Sequence, residues 1–559
     1  MIKTRNNLVI LLSALGLFAC ADTGEEAPPL VMEVRALGSG ECGPEAGTTI
    51  NPFTDMKTAQ VIVRGIDPVD GAYKVLVNET KSLSGSSLQI VDVPEGNGHD
   101  VEFIGRGGSV TWYAKDPDVT VKRDNSSPVE LLLTQYGGFS QVPVDTSFTN
   151  VMFPALVELG DGRVMISGGF QRVLESGAKL GSPSKQFFIY NPKTGTIDAK
   201  GVLPDEGRGA HAMVYLPTTN QVLIFGGSSE LSINPANAFP LVYNKAVGEK
   251  QALLYNLPSL ESPNGGFEEI NSDHVMSLAR VFPEGVVLND GLVAITGGGE
   301  WPRDSNTDYL NVEVFDPSAE DGNGDFLKVN GFKSFATRTG HSINYIKSQN
   351  GMNYYLLYGG TTSDQQIAEV MRQSPLQADG VDGHFIEVSV DGDAPAYTYF
   401  HEMTPLSGMR FLATGGVRYQ DADKPLAAPA ADDAYIITYS DSNGESPKIN
   451  IKKVPGMKTG RVFHSASTTD LRNVAVVGGF GGMDALETDK IMFFDADAAQ
   501  NQWSVAPESG TFIARGGQGG LMQRSGTLLM VGGESNLKEQ GSIPCGYVEL
   551  YTPSNIPIP

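Results

Sequence analysis

The stretch Val222-Leu223-Ile224-Phe225-Gly226-Gly227-Ser228 is a short run of apolar residues that favour extended backbone, cut off by two glycines. It has six counterparts: VMISGGF at 164–170, VAITGGG at 293–299, YLLYGGT at 355–361, FLATGGV at 411–417, VAVVGGF at 474–480 and LLMVGGE at 528–534. The first glycines stand at 168, 226, 297, 359, 415, 478 and 532, spaced by 54 to 71 residues. Self-similarity at such a period signals stacked copies of one supersecondary unit, none of which can bury its apolar face alone. Branched and aromatic residues ahead of the glycines suit a strand buried on both faces. The glycines themselves permit backbone conformations and close approaches closed to other residues.

Two further landmarks keep register with the glycines. About 15 residues before each pair stands Phe153, His211, Phe282, His341, His401, His464 or Gln518, opening a strand that turns through a polar hairpin such as Leu159-Gly160-Asp161-Gly162. Three residues earlier stand Arg208, Arg338, Arg461 and Arg515, with Asn150, Ala279 and Thr398 in the other copies. After the glycines comes an aromatic strand end running into a turn, as in Tyr190-Asn191-Pro192, Phe315-Asp316-Pro317 and Phe494-Asp495. This pattern resembles the kelch repeat. The resemblance implies an all-β chain whose residues 137–559 form a seven-bladed kelch-type β-propeller. The units exceed the roughly 50 residues usual for kelch, so the extra length is expected in loops, and the fourth copy lacks a clear aromatic-Asp end. The seventh unit ends its third strand near Tyr551, one strand short. Residues near Phe139–Val142 occupy the place of a fourth strand and are expected to complete that last blade, which removes exposed strand edges.

The N-terminal residues read as a processing signal, 1–19: Lys3 and Arg5, then an apolar run from Leu8 to Phe18 too short to span a bilayer. It ends in Leu17-Phe18-Ala19-Cys20, which resembles the lipobox of exported bacterial lipoproteins. The resemblance implies cleavage before Cys20, acylation (palmitate among the chains) of that cysteine, and a flexible tether over 20–29. Ala21 after the cysteine points to the outer membrane or cell surface. No later segment is long and apolar enough to cross a membrane as a helix. The formal charge of −25, or −27 without Lys3 and Arg5, disfavours nucleic acid as a partner. With Cys20 acylated, Cys42 and Cys545 remain in an oxidising compartment and are expected to pair as a disulfide; two separate thiols are the alternative.

Between tether and repeats, residues 30–136 hold short alternating segments bounded by Asp, Gly and Pro: Ala59–Val63, Tyr73–Val77, Leu88–Val93, Val101–Ile104, Ser109–Tyr113 and Val129–Leu133. Their number and spacing predict a small antiparallel β-sandwich, immunoglobulin-like in class, serving as spacer and platform.

In the propeller that the resemblance implies, one face collects the Arg and His landmarks with residues just past the glycines: Phe170, Glu230, Glu300, Trp301, Tyr419, Phe480, Asp484 and Glu534. The candidate ligand-binding set is Arg208, His211, Trp301, Arg338, His341, His401, Tyr419, Arg461, His464 and Arg515. Trp301 beside carboxylates and Arg303 suits stacking on a sugar or clamping a peptide side chain. Against this stands the plainer reading, in which repeated Arg are ion-pair partners between blades and repeated His are hydrogen-bonded core residues. No nucleophile elbow, H-E-x-x-H pair or phosphate loop is present. Galactose-oxidase-like kelch enzymes need a copper site with a Cys crosslinked to Tyr, and no Cys lies in the early or middle repeats. Asp321, Asn323 and Asp325 resemble part of a calcium loop, but Phe326 stands where such loops have Gly, and a solvated turn is the default. The expected role is therefore a lipid-anchored binding scaffold for a peptide, protein or glycan, without resident cofactor. The alternative is an extracellular carbohydrate-active enzyme with Glu300 and Asp484 as acid and base.

Overall fold

In a computed structural model the residues described are 8–10, 32–37, 56–83, 93–122, 129–142 and 151–554, less 172–180, 234–242, 259–264, 270–273, 301–308, 330, 349–352, 361–366, 378–379, 394–397, 419–429, 442–446, 471, 482–487, 489, 500–501, 507–513 and 536–547. Among them every regular element is a strand except one 3-10 turn at Glu320–Gly322. The chain is all-β.

The N-terminal strands are β1 (Leu8–Ile10), β2 (Met32–Ala36), β3 (Thr58–Ile66), β4 (Tyr73–Ser82), β5 (Gly96–Arg106), β6 (Trp112–Val121) and β7 (Val129–Gln135). They join in the order β1-β2-β7-β6-β5-β3-β4. Strand β7 serves two partners: Val129–Leu133 pairs with β2, and Thr134 and Gln135 pair with Tyr113 and Trp112 of β6. Val34, Leu131 and Leu133 thereby meet Val61, Val63, Phe103 and Trp112 in one buried cluster. The expected antiparallel sandwich needs one correction, since β2 and β7 run parallel from Met32↔Val129 to Ala36↔Leu133. Parallel neighbours need a long crossover, and the whole of β3–β6 supplies it. Strand β1 lies inside the stretch read as a signal, so cleavage before Cys20 would remove it and leave β2 as the sheet edge. Of the Leu88–Val93 segment only Val93 is described, and it is buried.

Each glycine-pair repeat has its own sheet, antiparallel except that in the fifth an added outer strand, Ser389–Gly392, runs parallel to Lys448–Val454. The third, for example, runs Glu284–Val287, Val293–Thr296, Glu313–Asp316, Asp325–Leu327, with each strand paired to the next. The strand ending at each glycine pair is the second, buried on both faces, as in Val164–Ser167 and Leu528–Val531. Strand β8 (Phe139–Val142) pairs with Val548–Tyr551 through Val142↔Val548 to Phe139↔Tyr551, and so completes the seventh sheet. The fourth repeat has regular third and fourth strands, Ala368–Gln377 and Gly380–Ile386, despite its missing landmark. Extra length is not confined to loops. In the second repeat the strand Gln221–Ile233 runs on past Gly226, and its extension pairs with Tyr243–Gln251, which in turn pairs with Val275–Arg280.

First strands touch in sequence order. Ala155–Glu158 lies against both Gly209–Leu216 of the second repeat and Gly519–Met522 of the seventh. The same linkage runs through the backbone: Gly169 donates to Arg208 O (2.9 Å), Gly360 to Thr398 O (2.7 Å), Gly416 to Arg461 O (2.7 Å), Gly479 to Arg515 O (2.7 Å) and Gly533 to Val151 O (2.8 Å). The last bond ties the seventh repeat to the first. The sandwich is docked on these same two repeats: Thr134 and Thr552 share a hydroxyl bond (2.6 Å), Tyr136 donates to Ser554 O (2.5 Å), and Lys193 pairs with Asp116 (2.9 Å). Leu132 is buried with Val164, Tyr190 and Leu550.

Candidate functional site

All seven repeats place one residue in left-handed backbone at the entry to the first strand: Phe153, Ala210, Phe282, Gly340, Phe400, Phe463 and Gly517, with φ from 51° to 69°. This conformation corrects the alignment drawn from sequence. Phe153 and Phe282 match Ala210 and Gly340, not the histidines, and the histidine place in those repeats holds Pro154 and Pro283. The arginine place two residues upstream is then Arg208, Arg280, Arg338, Arg461 and Arg515, with Val151 and Thr398 in the remaining copies. Arg280 was missed because Phe-Pro replaces the residue-His pair, shifting the count by one.

These arginines are fully buried, against the expectation that they gather on an accessible face. Arg208, Arg280, Arg338 and Arg461 each donate to the carbonyl of the first glycine of their own repeat, at 2.9, 2.5, 2.5 and 2.9 Å. The second terminal nitrogen of each donates to Asp205 (2.5 Å), Asn311 O (2.7 Å), Glu369 (2.7 Å) and Lys490 O (2.5 Å) respectively. Arg515 pairs with Glu549, whose carboxyl is raised by burial although the guanidinium pulls it down. A positive left-handed glycine leaves its carbonyl without a sheet partner, and the guanidinium fork satisfies it.

The histidines are structural in the same way. The ring Nε2 of His211, His341 and His464 is bonded to the hydroxyl just before the glycine pair of the preceding repeat: Ser167 (2.8 Å), Thr296 (2.8 Å) and Thr414 (2.9 Å). Where that residue is Phe225 or Val531, the next repeat has Pro283 or Pro154. His401 follows Tyr358, packs edge-on against it and bonds Ser342 instead (3.1 Å). Gln518 follows Val477 and donates to its carbonyl (3.1 Å). Burial and the neighbouring arginines push His211, His401 and His464 down to about 3 and lower His341, so the rings are neutral.

The left-handed residues converge. Phe153, Phe282, Phe400 and Phe463 stack edge to face and tilted, with centroids 4.7–6.1 Å apart. Gly340 and Gly517 leave room, since a Cβ there would meet Phe400 and Phe153. Backbone bonds link successive copies: Ala210 to Phe153 O (3.1 Å), Phe282 to Ala210 O (3.0 Å), Phe400 to Gly340 O (2.8 Å), Gly517 to Phe463 O (3.0 Å) and Phe153 to Gly517 O (2.8 Å). The four rings make an apolar floor, with Phe282 and Phe463 half-buried.

Two residues further along each chain lies a second level: Ala155, Ala212, Glu284, Ser342, Glu402, Ser465 and Gly519, each paired with the residue before a glycine pair. Sequence reading passed over Glu284 and Glu402. Both are half-buried, and desolvation raises each carboxyl to about 8, Glu402 also through the charge of Glu284. No local motif marks them, because they come from repeats three and five.

Of the other candidates, Cys20, Cys42, Trp301, Tyr419, Asp484 and Cys545 lie outside the described residues. Glu300 is held by the fold, its carboxylate accepting from Gly248 N (3.0 Å). Phe170 and Phe480 are fully buried, filling space that Gly209 and Gly516 leave open. The Asp321–Asp325 stretch is a hairpin turn whose Gly322 and Asn323 carbonyls already bond Gln221 (3.1 Å) and His274 (2.7 Å). A cleft of about 240 Å³ opens between the sandwich and repeats one and seven, lined by Asp116, Asp118, Glu158, Lys193 and Arg524. Among the described residues no three His, Cys, Asp or Glu side chains come together in a way that could hold a metal ion.

No family model matches the chain, and no curated protein matches it. Among solved structures, it is similar to one described as a novel fungal alcohol oxidase with catalytic diversity among the AA5 family, in complex with copper. That likeness has 13% identity and a TM-score of 0.49 over 76% of this chain and 79% of the other.

Proposed function

We propose that the seven sheets form one closed kelch-type propeller on an acylated tether at Cys20, and that the protein is a cell-envelope binding scaffold for a peptide, protein or glycan. The observation that carries this reading is the phenylalanine floor. Phe153, Phe282, Phe400 and Phe463 meet beside the first residues after the glycine pairs, where Met152 pairs with Phe170, Tyr399 with Val417 and Val462 with Phe480, so a ligand on that face rests on aromatic surface. The repeated Arg and His are consumed internally and are not the ligand's contacts. Trp301 and Tyr419, which follow the glycine pairs of the third and fifth repeats in sequence, are the further ligand contacts of this reading, and the anchor holds the body at the outer membrane or cell surface.

The test is a glycan and peptide array probed with the full chain, repeated with Phe463→Ala and Trp301→Ala. Truncating a central aromatic anchor is expected to weaken the captured ligand at least about tenfold. Capture unchanged in both variants would refute the placement of the site. Mass analysis of Cys20 tests the anchor separately, with acyl chains expected on its amine and thiol.

A further inference from the structure

We infer that the hairpin joining β3 to β4 is a second membrane contact, resting in the lipid interface beside the acylated Cys20. The inference rests on the anchoring just proposed.

Nine large hydrophobic side chains are exposed among the described residues, and four belong to this one hairpin: Ile66 (59%), Val69 (92%), Tyr73 (56%) and Val75 (48%). Scattered single residues would need no explanation; a cluster does. Ile66 stands directly opposite Tyr73, and Val75 follows two residues along the same face. Val69 caps the turn, so the four make one apolar tip.

The turn is built to present them. Asp67 N donates to Ala72 O (2.9 Å) and Gly71 N to Asp67 O (2.8 Å). The carboxylates accept Val69 N (2.7 Å) and Ala72 N (3.0 Å), and Lys74 bridges Asp67 (2.6 Å) and Asp70 (2.8 Å). The polar groups are thus spent within the turn, and Val69 is left pointing outward. Tyr73 adds an amphipathic ring of the kind favoured at the headgroup level.

Register supplies the occupant. Following β2 to β7 (Met32↔Val129), β7 to β6 (Gln135↔Trp112), β6 to β5 (Val121↔Gly96) and β5 to β3 (Asp100↔Arg64) places the start of β2 and the β3–β4 turn at the same end of the sandwich. Met32 stands twelve positions after Cys20, a span of at most about 43 Å at up to about 3.6 Å per residue. The end of the domain that carries the tether is therefore the end that carries the apolar tip. The charges around the tip balance, Arg64 opposite Val75 and Lys74 against Asp67 and Asp70, so the lipid surface it suits is zwitterionic. An anchor with a second contact holds an orientation that a lone tether does not.

The experiment uses the acylated full chain carrying Val69→Trp, a change at an exposed turn, reconstituted in phosphatidylcholine vesicles with brominated acyl chains. The difference spectrum against the parent reports the new indole alone. It is expected to shift to the blue and to be quenched by bromines about 5–10 Å below the headgroups. A floating, acylated chain whose new indole stays open to aqueous iodide would overturn the inference and leave the anchor standing. A Cys20 without acyl chains, or a chain that does not float, would sink the anchor and the inference with it. An indole shielded without vesicles would mean that the tip docks on another copy, which also overturns the proposal.

Discussion

At the scale of the residue, the titratable groups near the phenylalanine floor oppose one another in their response to pH. Glu284 and Glu402 hold their protons up to about 8, against 4.5 in an ordinary carboxyl. The folded chain therefore binds more protons than the unfolded one across that window, and stability falls as pH rises through it. His211, His401 and His464 behave in the reverse sense. Held down to about 3 from 6.5, they let the unfolded chain take protons first, so stability falls as pH drops from 6.5. Melting temperature against pH is expected to decline more gently on the alkaline side in Glu402→Gln than in the parent, with the acid limb unchanged. Equal alkaline limbs would mean that water reaches the carboxylates freely. A second expectation concerns Thr414, which bonds His464 at 2.9 Å. Thr414→Val strands a buried ring nitrogen and should cost about 1–3 kcal/mol, measured by denaturant unfolding. His464→Phe in the same chain should recover part of that loss.

At the scale of the element, the glycine pair is where strand meets neighbour. Gly415 has φ +62°, and a Cβ there would run into Arg461 O and the ring of His464. Gly408 has a similar φ of +73° with open space around it. Comparing Gly408→Ala with Gly415→Ala separates backbone strain from contact. The first should cost about 1–2 kcal/mol, the second roughly 1–3 kcal/mol more through overpacking. Equal losses would mean that the repeats do not depend on close approach at these glycines. This element was legible in sequence because its constraint is local: a conformation few residues adopt, preceded by a strand with no polar face. The arginine and histidine landmarks were legible as a pattern that left a structural and a ligand-binding role both open, since the partners that decide between them, such as a glycine carbonyl, Glu549 or a hydroxyl of the preceding repeat, are not adjacent in sequence. Arg280 escaped even the pattern, because Phe282-Pro283 stands where other repeats have the residue-His pair.

At the scale of the whole molecule, one joint ties distant parts of the chain and one ion pair braces the sheet it completes. Strand β8 completes the seventh sheet, with Ser140 fully buried opposite Leu550. Ser140→Pro removes a ladder donor in an enclosed strand. It is expected to lower the melting temperature of the whole repeat array in one transition; an unchanged transition would show that the seventh sheet does not need its borrowed strand. Within that same seventh repeat Arg515 and Glu549 pair, bracing the strand next to β8. Arg515→Ala leaves a buried carboxylate alone and should cost about 3–5 kcal/mol, with Arg515→Leu plus Glu549→Leu far milder. Calorimetry distinguishes the two.

The sequence by itself determined the all-β class, the seven repeats and the strand that Phe139–Val142 lends to the last of them. Each of these follows from a periodicity or a count that any one repeat displays. Only the tertiary structure decided that the arginines and histidines face inward, that four phenylalanines meet in one floor, and that Glu284 and Glu402 share a level beneath it. Those arrangements join residues from different repeats, and repeats of unequal length hide the common register until the left-handed backbone positions align it.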